Sequence, residues 1–298
     1  MQNEKEMTLA EKWDSLTLAD NFIFCKLMST NLDLCQDLLE VLLNIKIDHL
    51  KLANAEQTMQ ETFDARGVRL DVYAKDDKRI FDIEIQTTKK KNLQKRSRYY
   101  QGIIDVDNLP MGIDYDQLKE TYIIFLCLDD IFGKDLPVYT FENICVENNE
   151  IKLNDGCHKI FFNASKCDKM ENEDAKSFFE LLKGSKSDSK LANRFKEKIA
   201  YLKQNLDLRR QYMVWALALE EEKQIAREEA REEGLAEGLA EGREAGRKQG
   251  LAEGRTEGAR QQAVETATKA IQMGFSLEQI VMLTGLSADE ISALRERS

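Results

Sequence analysis

The fold of this chain is decided by two short stretches, Arg69-Leu70-Asp71-Val72-Tyr73 and Phe81-Asp82-Ile83-Glu84-Ile85-Gln86. Apolar and polar residues alternate in both stretches, which is the pattern of β-strands. The charged segment between them, Lys75-Asp76-Asp77-Lys78-Arg79, is short enough for a turn. The sequence therefore predicts a β-hairpin with strands over residues 66–73 and 79–86.

The polar positions of this hairpin predict a metal site. Pairing of the two strands brings Asp71 close enough to Glu84 for both carboxylates to bind one divalent cation. The backbone carbonyl of Ile85 is a candidate third oxygen ligand. Hard oxygen ligands suit Mg²⁺, which takes one or two carboxylates from a protein and promotes phosphodiester hydrolysis. Gln86, on the same strand face as Glu84, would orient water or phosphate, because an amide cannot accept a proton.

The spacing of these carboxylates also has an ordinary interpretation, since exposed acids on a hairpin are usually solvated. The alternating apolar residues favour the metal site because they fix the register of the strands. In that register Asp71, Glu84 and Gln86 share the polar positions, and Asp82 is the chief competitor for the role of ligand. The apolar positions are Leu70, Val72, Phe81, Ile83 and Ile85.

A basic segment follows the hairpin directly. It contains six cationic residues and no acidic one: Lys89, Lys90, Lys91, Lys95, Arg96 and Arg98. A helix is predicted over residues 90–107, with Lys89, Arg96 and Arg98 as candidate phosphate contacts. A solvated helix face is the alternative. The net charge of −11 argues against nucleic-acid binding through the whole surface.

The remaining pattern predicts an α/β fold. One amphipathic helix precedes the hairpin, and two apolar runs that suit strands follow the basic helix. This order is typical of an α/β sandwich. The predicted elements outside the hairpin and the basic helix are a helix at 34–43, strands at 121–128 and 136–141, and helices at 172–182 and 191–206.

The tail carries the one repeat of the chain. Glycine recurs every four residues at seven positions: Gly234, Gly238, Gly242, Gly246, Gly250, Gly254 and Gly258. Each helical glycine costs roughly 1 kcal/mol relative to alanine, so an isolated helix would be marginal. The segment is predicted to be either a solvated linker or extended helix, or a helix through which copies of the chain form a homo-oligomer.

The last residues, 263–298, are amphipathic again. Gly274 and Gly285 separate short helical patterns, and Ser287 with Glu290 forms a capping-box signature. A helix-turn-helix DNA reader and a small protein-interaction bundle both fit this pattern.

Composition predicts a cytoplasmic protein. The first residues are polar and of mixed charge, unlike a secretory signal. Apolar runs are too short for a membrane span, so no membrane partner is expected. The six cysteines contain no CxxC pair and are interpreted as free thiols in a reducing compartment.

An ordered series of motifs resembles the PD-(D/E)XK nuclease family transposases, the recombination-promoting nuclease (Rpn) group of bacterial mobile elements. The resemblance covers roughly residues 10–165 and extends more loosely to the charged, glycine-spaced tail. Its motifs, in order, are Asp71, Phe81-Asp-Ile-Glu-Ile-Gln86, Arg96-Ser-Arg-Tyr-Tyr100, Asp114-Tyr-Asp-Gln-Leu-Lys119, Tyr122 to Leu128, Phe132-Gly133 and Val138-Tyr-Thr-Phe141.

The resemblance implies a restriction-endonuclease-like αβα core with a mixed sheet, followed by a helical C-terminal region. It further implies Mg²⁺-dependent DNA cleavage, with Asp71 and Glu84 at the positions of the metal ligands. Gln86 stands where the wider superfamily has a catalytic lysine. A catalytically impaired DNA- or protein-binding module is therefore the alternative function. Asp20 and Glu40 are candidate accessory carboxylates, although helix capping is the favoured role of Asp20.

Four regions follow from these patterns. Residues 1–165 are predicted to form the nuclease-like domain and residues 166–218 a helical extension. Residues 219–262 form the charged helix or linker with glycine at every fourth position, and residues 263–298 form a small helical bundle.

Overall fold

The computed structural model describes residues 7–59, 68–88 and 92–296. Its centre is one six-stranded sheet in the order β1-β2-β3-β4-β6-β5. The strands are β1 Leu52–Met59, β2 Val68–Lys75, β3 Arg79–Gln86, β4 Glu120–Cys127, β5 Val138–Phe141 and β6 Cys157–Asn163.

The sheet is mixed, as the resemblance implied. The first three strands are antiparallel neighbours, β4 runs parallel to both β3 and β6, and β5 pairs antiparallel with β6. The predicted hairpin is confirmed as β2 and β3. Asp76 stabilises its turn, because one carboxylate oxygen accepts hydrogen bonds from the backbone N–H groups of Lys78 and Arg79 at 2.8 and 2.6 Å.

Nine α-helices lie in the described part of the chain. The first begins at a capping box, in which Thr8 accepts a hydrogen bond from the N–H of Glu11 and the Glu11 carboxylate accepts one in return. The helices are α1 Leu9–Ser15, α2 Asn21–Thr30, α3 Leu32–Leu43, α4 Leu93–Asn108, α5 Glu173–Leu182, α6 Lys190–Gln204, α7 Leu206–Gln272, α8 Leu277–Thr284 and α9 Ala288–Glu296.

Helices cover both faces of the sheet, which gives the αβα architecture. One face packs with α2, α3, α5 and α6 in a large core that includes Val72, Phe81 and Ile83. The other face packs with α4 in a smaller core that includes Tyr73 and Phe125. Both faces of the parallel strands are therefore buried, which explains why the sequence of β4 is a continuous apolar run.

The predicted alternation fails at one residue. Leu70 was expected to share the face of Val72, yet it belongs to the core beneath α4. The strand is irregular there: the pairing of β2 with β3 runs from Val72–Ile83 to Lys75–Ile80, and Asp71 lies one residue beyond it. The irregularity falls at the predicted metal ligand.

Helices α5 and α6 pack on the same core as the sheet. Phe178 and Phe195 are fully buried and stack edge to face at 5.2 Å. The chain divides into two compact units, Met1–Ala216 and Leu217–Ser298. The region predicted as a helical extension therefore lies within the first unit.

The second unit contains most of α7 with α8 and α9. Every residue from 220 to 262 of α7 is exposed, and a Cβ atom added at any of the seven glycines in this segment would meet no neighbouring atom within 4 Å. Past this segment, Ala267, Ile280 and Ile291 form a small core. None of the helices in the described ranges is both long enough and apolar enough to cross a membrane.

Candidate active site

The two hairpin carboxylates bond across the strands where the pairing of β2 with β3 ends. The backbone N–H of Asp71 donates to Glu84 Oε1 at 3.0 Å, and the N–H of Ile85 donates to Asp71 Oδ2 at 3.1 Å. Side-chain oxygens here take the place of the backbone carbonyls that continue a regular ladder. The sequence thus holds both carboxylates at one point between the strands.

The Ile85 carbonyl lies toward the same place. The N–H and C=O of one strand residue point to the same edge of the strand, and the N–H of Ile85 is bonded to Asp71. The next carbonyl, that of Gln86, points to the opposite edge, where it accepts a bond from Leu128 N–H at 3.0 Å. Three oxygen-bearing groups therefore face the gap between β2 and β3.

Helix α2 supports Asp71 from behind. Asn21, in its first turn, donates from Nδ2 to Asp71 Oδ1 at 2.6 Å. One turn later the Cys25 thiol donates to the backbone carbonyl of Asp71 at 3.1 Å. The bond from Cys25 fixes the backbone at Asp71, and the bond from Asn21 fixes the orientation of the Asp71 carboxylate.

Helix α4 supplies a guanidinium to the other carboxylate. Arg96 Nη2 donates to Glu84 Oε2 at 3.1 Å, and Nη1 donates to Gln86 Oε1 at 3.3 Å. Arg96 also donates to the hydroxyl of Tyr100, one turn along the same helix. Gln86 is buried and its amide nitrogen donates to the Thr88 carbonyl at 3.1 Å, so protein groups hold both ends of this amide.

A third carboxylate is buried beside this pair. Asp82 is 0% exposed, and neither of its oxygens has a hydrogen-bond partner among the described residues. Burial raises its pKa well above the usual range, and the negative charges of Glu84 and Asp71 raise it further. We call Asp71, Asp82 and Glu84 the carboxylate cluster.

Burial also raises the pKa of Asp71. The hydrogen bonds from Asn21 and Ile85 and the positive charge of Arg96 act in the opposite direction and only partly offset it. For Tyr100, burial and the charge of Glu84 raise the pKa to about 12, so the hydroxyl stays protonated near neutral pH. The positive charge of Arg96 therefore offsets only part of the effect of burial on the pKa of Asp71.

These residues fit a hard divalent cation. The donor set is all oxygen, and the buried carboxyl oxygens of Asp82 beside it have no hydrogen-bond partner among the described residues. Within the described ranges no three His, Cys, Asp or Glu side chains already converge as a metal site. Asp71, Glu84 and the Ile85 carbonyl are the groups that would hold the ion, with two carboxylates as Mg²⁺ prefers.

The comparison with known families agrees with this geometry. The family model described as PD-(D/E)XK nuclease family transposase matches residues 19–237. The chain belongs to that family. No curated protein and no solved structure gives a match.

The family region extends past the quoted sequence motifs, the last of which ends at Phe141, and stops within the glycine-spaced tail to which the resemblance extends more loosely. It includes α5, α6 and the first half of α7 as well as the sheet. This extent agrees with the packing, because α5 and α6 complete the core on one face of the sheet of this transposase-family protein.

The other predicted site residues do not gather at the cluster. Arg98 is exposed, because two helical residues past Arg96 the side chain leaves on the far face of α4. Lys89 lies outside the described residues. Asp20 is turned back to Thr17, whose N–H and hydroxyl donate to it at 2.5 and 3.1 Å. It is the N-cap residue of α2, but its side chain makes no cap bond to that helix.

Glu40 serves the loop after α3. Its carboxylate accepts hydrogen bonds from the N–H of Ile47 and from Lys46, both at 2.9 Å. These bonds lower its pKa, the one from Ile47 having the larger effect. The carboxylates of both accessory candidates, Asp20 and Glu40, are therefore held by nearby loop residues rather than at the carboxylate cluster.

Two residues at the site were not predicted. Asn21 follows Asp20 directly, but the search for metal ligands favoured the carboxylate of Asp20 over the amide of Asn21. Tyr100 is the last residue of the motif Arg96-Ser-Arg-Tyr-Tyr100, and the sequence assigned it no role at the site. The i, i+4 spacing of Arg96 and Tyr100 on one helix face was the available signal for their contact.

Proposed function

We propose that this protein is a Mg²⁺-dependent DNA endonuclease that acts in recombination or on mobile elements. The observation that carries the proposal is the pair of carboxylates, Asp71 and Glu84, bonded across two strands beside the unpartnered Asp82. Membership of a nuclease family linked to transposition supports the same reaction class.

The bound cation would polarise a phosphoryl oxygen and promote attack by water. Asp71, Glu84 and the Ile85 carbonyl would hold it, and Asn21 and Cys25 would keep Asp71 in place. With a cation bound, Asp82 would favour its ionised form, and it is assigned no ligand position. The irregular end of the β2–β3 pairing is what leaves these oxygens free of ladder bonds.

Gln86 is assigned a positioning role. Its amide cannot accept a proton, and its oxygen already holds Arg96 while its nitrogen holds the Thr88 carbonyl. The attacking water would therefore transfer its proton to bulk water or to the substrate phosphate.

DNA is the proposed partner, with Arg96 the phosphate contact nearest the cluster and Lys89 and Arg98 as further contacts. We assign the activity to the cytoplasm, because the six cysteines of the sequence contain no CxxC pair and suit a reducing compartment. We also propose self-association through α7, because its fully exposed glycine repeat has no packing within the described chain to offset its cost.

Plasmid nicking tests the proposed activity. Wild-type protein with Mg²⁺ is expected to convert supercoiled plasmid to nicked or linear product, and Asp71→Ala and Glu84→Ala should each reduce the rate by at least about 100-fold, because each removes a cation ligand. Chelation of Mg²⁺ should have the same effect. Identical product from wild type and Asp71→Ala in every condition would refute the enzymatic claim.

A catalytically impaired binding module is the second candidate. The observation that favours it is Gln86, a neutral amide at the position where the wider superfamily has lysine. In that case DNA or protein binding would persist with no cation dependence. Calorimetry that detects no Mg²⁺ or Mn²⁺ binding, together with intact DNA binding, would select this candidate over the nuclease.

A further inference from the structure

We propose that Arg96 is an exchangeable internal counter-ion: the divalent cation displaces its guanidinium from Glu84, and the freed guanidinium then binds the DNA phosphate. This inference rests on the proposed nuclease function. It assigns Arg96 two successive partners, one in the cation-free protein and one in the loaded complex.

The contacts of Arg96 place it in competition with a cation. Its Nη2 donates to Glu84 Oε2 at 3.1 Å, an oxygen of a proposed ligand. Its positive charge also acts on Asp71 and Asp82, so it interacts with the whole carboxylate cluster. A divalent ion held by Glu84 and Asp71 would neutralise the same carboxylates with twice the charge of Arg96. The attraction between Glu84 and Arg96 would then be much weaker.

The guanidinium has an anchor that does not depend on Glu84. Its carbon lies 5.2 Å from the ring centroid of Tyr100 and 5.8 Å from that of Phe125, and the two rings are themselves stacked. Cation–π contacts of this kind hold the group in place while its N–H donors exchange partners. Arg96 can thus leave Glu84 without leaving the site.

The side chain is also open to a substrate. It keeps 30% of its surface exposed, whereas Glu84 keeps 4%. The planar fork of arginine matches two phosphate oxygens, which a lysine cannot do. Gln86, bonded to Nη1 at 3.3 Å, would orient the fork in both states.

If Arg96 had a purely structural role, its removal would change the cation affinity in the opposite direction. If Arg96 only fixes the rotamer of Glu84, its removal disorders a ligand and weakens cation binding. If Arg96 competes with the cation, its removal strengthens cation binding although a favourable contact has been lost. The direction of the change separates the two roles.

Calorimetric titration of the full chain with Mn²⁺, without DNA, measures that direction. Arg96→Met should bind Mn²⁺ about tenfold more tightly than wild type, because the competing charge is gone. Lys95→Met, an exposed neighbour that removes one charge from the same helix, should stay within about twofold. Weaker Mn²⁺ binding by Arg96→Met would overturn the proposal.

A second measurement follows the freed guanidinium. With Ca²⁺ in place of Mg²⁺ to slow cleavage, Arg96→Met should bind a short DNA duplex at least about tenfold more weakly than wild type, with a salt slope smaller by about 1. An unchanged affinity and slope would overturn the phosphate contact. Arg96→Gln keeps a donor toward Glu84 and should repeat both results if Arg96→Met is poorly folded.

These outcomes are distinct from failure of the nuclease proposal. A wild-type protein that binds no Mn²⁺ refutes the cation site and the inference built on it. A wild-type protein that binds Mn²⁺ and cleaves DNA, beside an Arg96→Met variant with weakened Mn²⁺ binding, refutes the exchange alone.

Discussion

At the scale of single residues, the site is held together by polar groups that replace backbone pairing. Asp71 and Glu84 accept bonds from each other's strand, and Asn21 and Arg96 reach them from helices on opposite faces of the sheet. Each support fixes one carboxylate. Asp82 alone has no hydrogen-bonded support in the described part of the chain.

Asp82→Asn is expected to raise stability and weaken cation binding. In the cation-free protein a buried, unpartnered carboxylate is costly in either form, because the charged form is desolvated and the neutral form must take up a proton near pH 7. Asparagine should raise the free energy of unfolding by about 1–2 kcal/mol in thermal or urea melts. Mn²⁺ affinity should fall several-fold, because a bound cation favours the ionised form of Asp82 and asparagine cannot supply that charge.

Asp107→Asn, an exposed acid on α4, is the matched control and should change neither quantity by a measurable amount. A destabilised Asp82→Asn protein would show that Asp82 has a structural partner. Unchanged Mn²⁺ affinity would separate it from the cation site.

The sequence alone located the carboxylate pair because strand periodicity and charge fix which residues share a face. It did not locate Asn21, because the contact of Asn21 with Asp71 joins elements distant in sequence. The contact of Tyr100 with Arg96 is local, but Tyr100 gains its role at the site only because Arg96 reaches Glu84 on another element. Asp20 and Glu40 were reasonable candidates by chemistry, yet local hydrogen bonds to Thr17, Lys46 and Ile47 hold them elsewhere. Hydrogen bonds of this kind between a side chain and a nearby loop follow no helix or strand periodicity, so the sequence pattern does not reveal them.

At the scale of secondary structure, the loop after β4 is organised by one acid. Asp130 accepts hydrogen bonds from the N–H groups of Phe132, Gly133 and Asp135 at 3.0, 2.9 and 2.8 Å, and from the Tyr139 hydroxyl at 2.8 Å. Gly133 has a φ of 66°, the left-handed conformation this turn requires. The loop leads from β4 to the edge strand β5.

The stability contributed by Asp130 should depend on pH. Burial raises its pKa, but the hydrogen bonds, that of Asp135 N–H first among them, outweigh this and lower the pKa below its usual value. The contribution is therefore complete above the pKa of the unfolded chain and is lost as pH falls through the lower pKa of the folded protein. Asp130→Asn should lower the free energy of unfolding by about 1–2 kcal/mol at pH 7, and this loss should shrink toward zero in acid.

Urea melts of wild type and Asp130→Asn across pH 3–7 check this expectation, with the exposed neighbour Asp129→Asn as control. A difference that persists or grows at acid pH would contradict it.

Most elements were predictable because their patterns are local. The predicted strand over residues 79–86 coincides with β3, and those for β4 and α6 differ from the structure by one or two residues at the ends. Strand β1 was missed because Leu-Ala-Asn-Ala-Glu-Gln-Thr-Met has little strand propensity, and pairing with β2 determines its conformation. Strand β6 was missed because its apolar run, Ile160-Phe161-Phe162, is only three residues long.

At the scale of the whole molecule, the acidic and the basic residues are concentrated in different segments of the chain. Residues 220–258 contain twelve glutamates against seven Lys or Arg residues, while the segment after Gln86 is basic. The net charge of −11 therefore says little about the surface near the carboxylate cluster. DNA binding is expected to be confined to that surface and to weaken steeply with salt.

Self-association is predicted for the full chain. Light scattering should give a mass that is a multiple of 34.3 kDa, because only contact between copies can offset roughly 7 kcal/mol of glycine cost along α7. Alanine at Gly242, Gly246 and Gly250 should reduce the mass by blocking close approach, and deletion of residues 220–298 should give the monomer. A monomeric wild type, or alanine variants with unchanged mass, would leave α7 a solvated helix.

The central claim is a divalent cation between the hairpin carboxylates, and anomalous diffraction from crystals soaked in Mn²⁺ tests it most directly. We expect an anomalous peak in contact with the carboxylates of Asp71 and Glu84 and the carbonyl of Ile85, with the Arg96 guanidinium displaced from Glu84. The absence of a peak at this position, at a Mn²⁺ concentration that supports plasmid nicking, would contradict it.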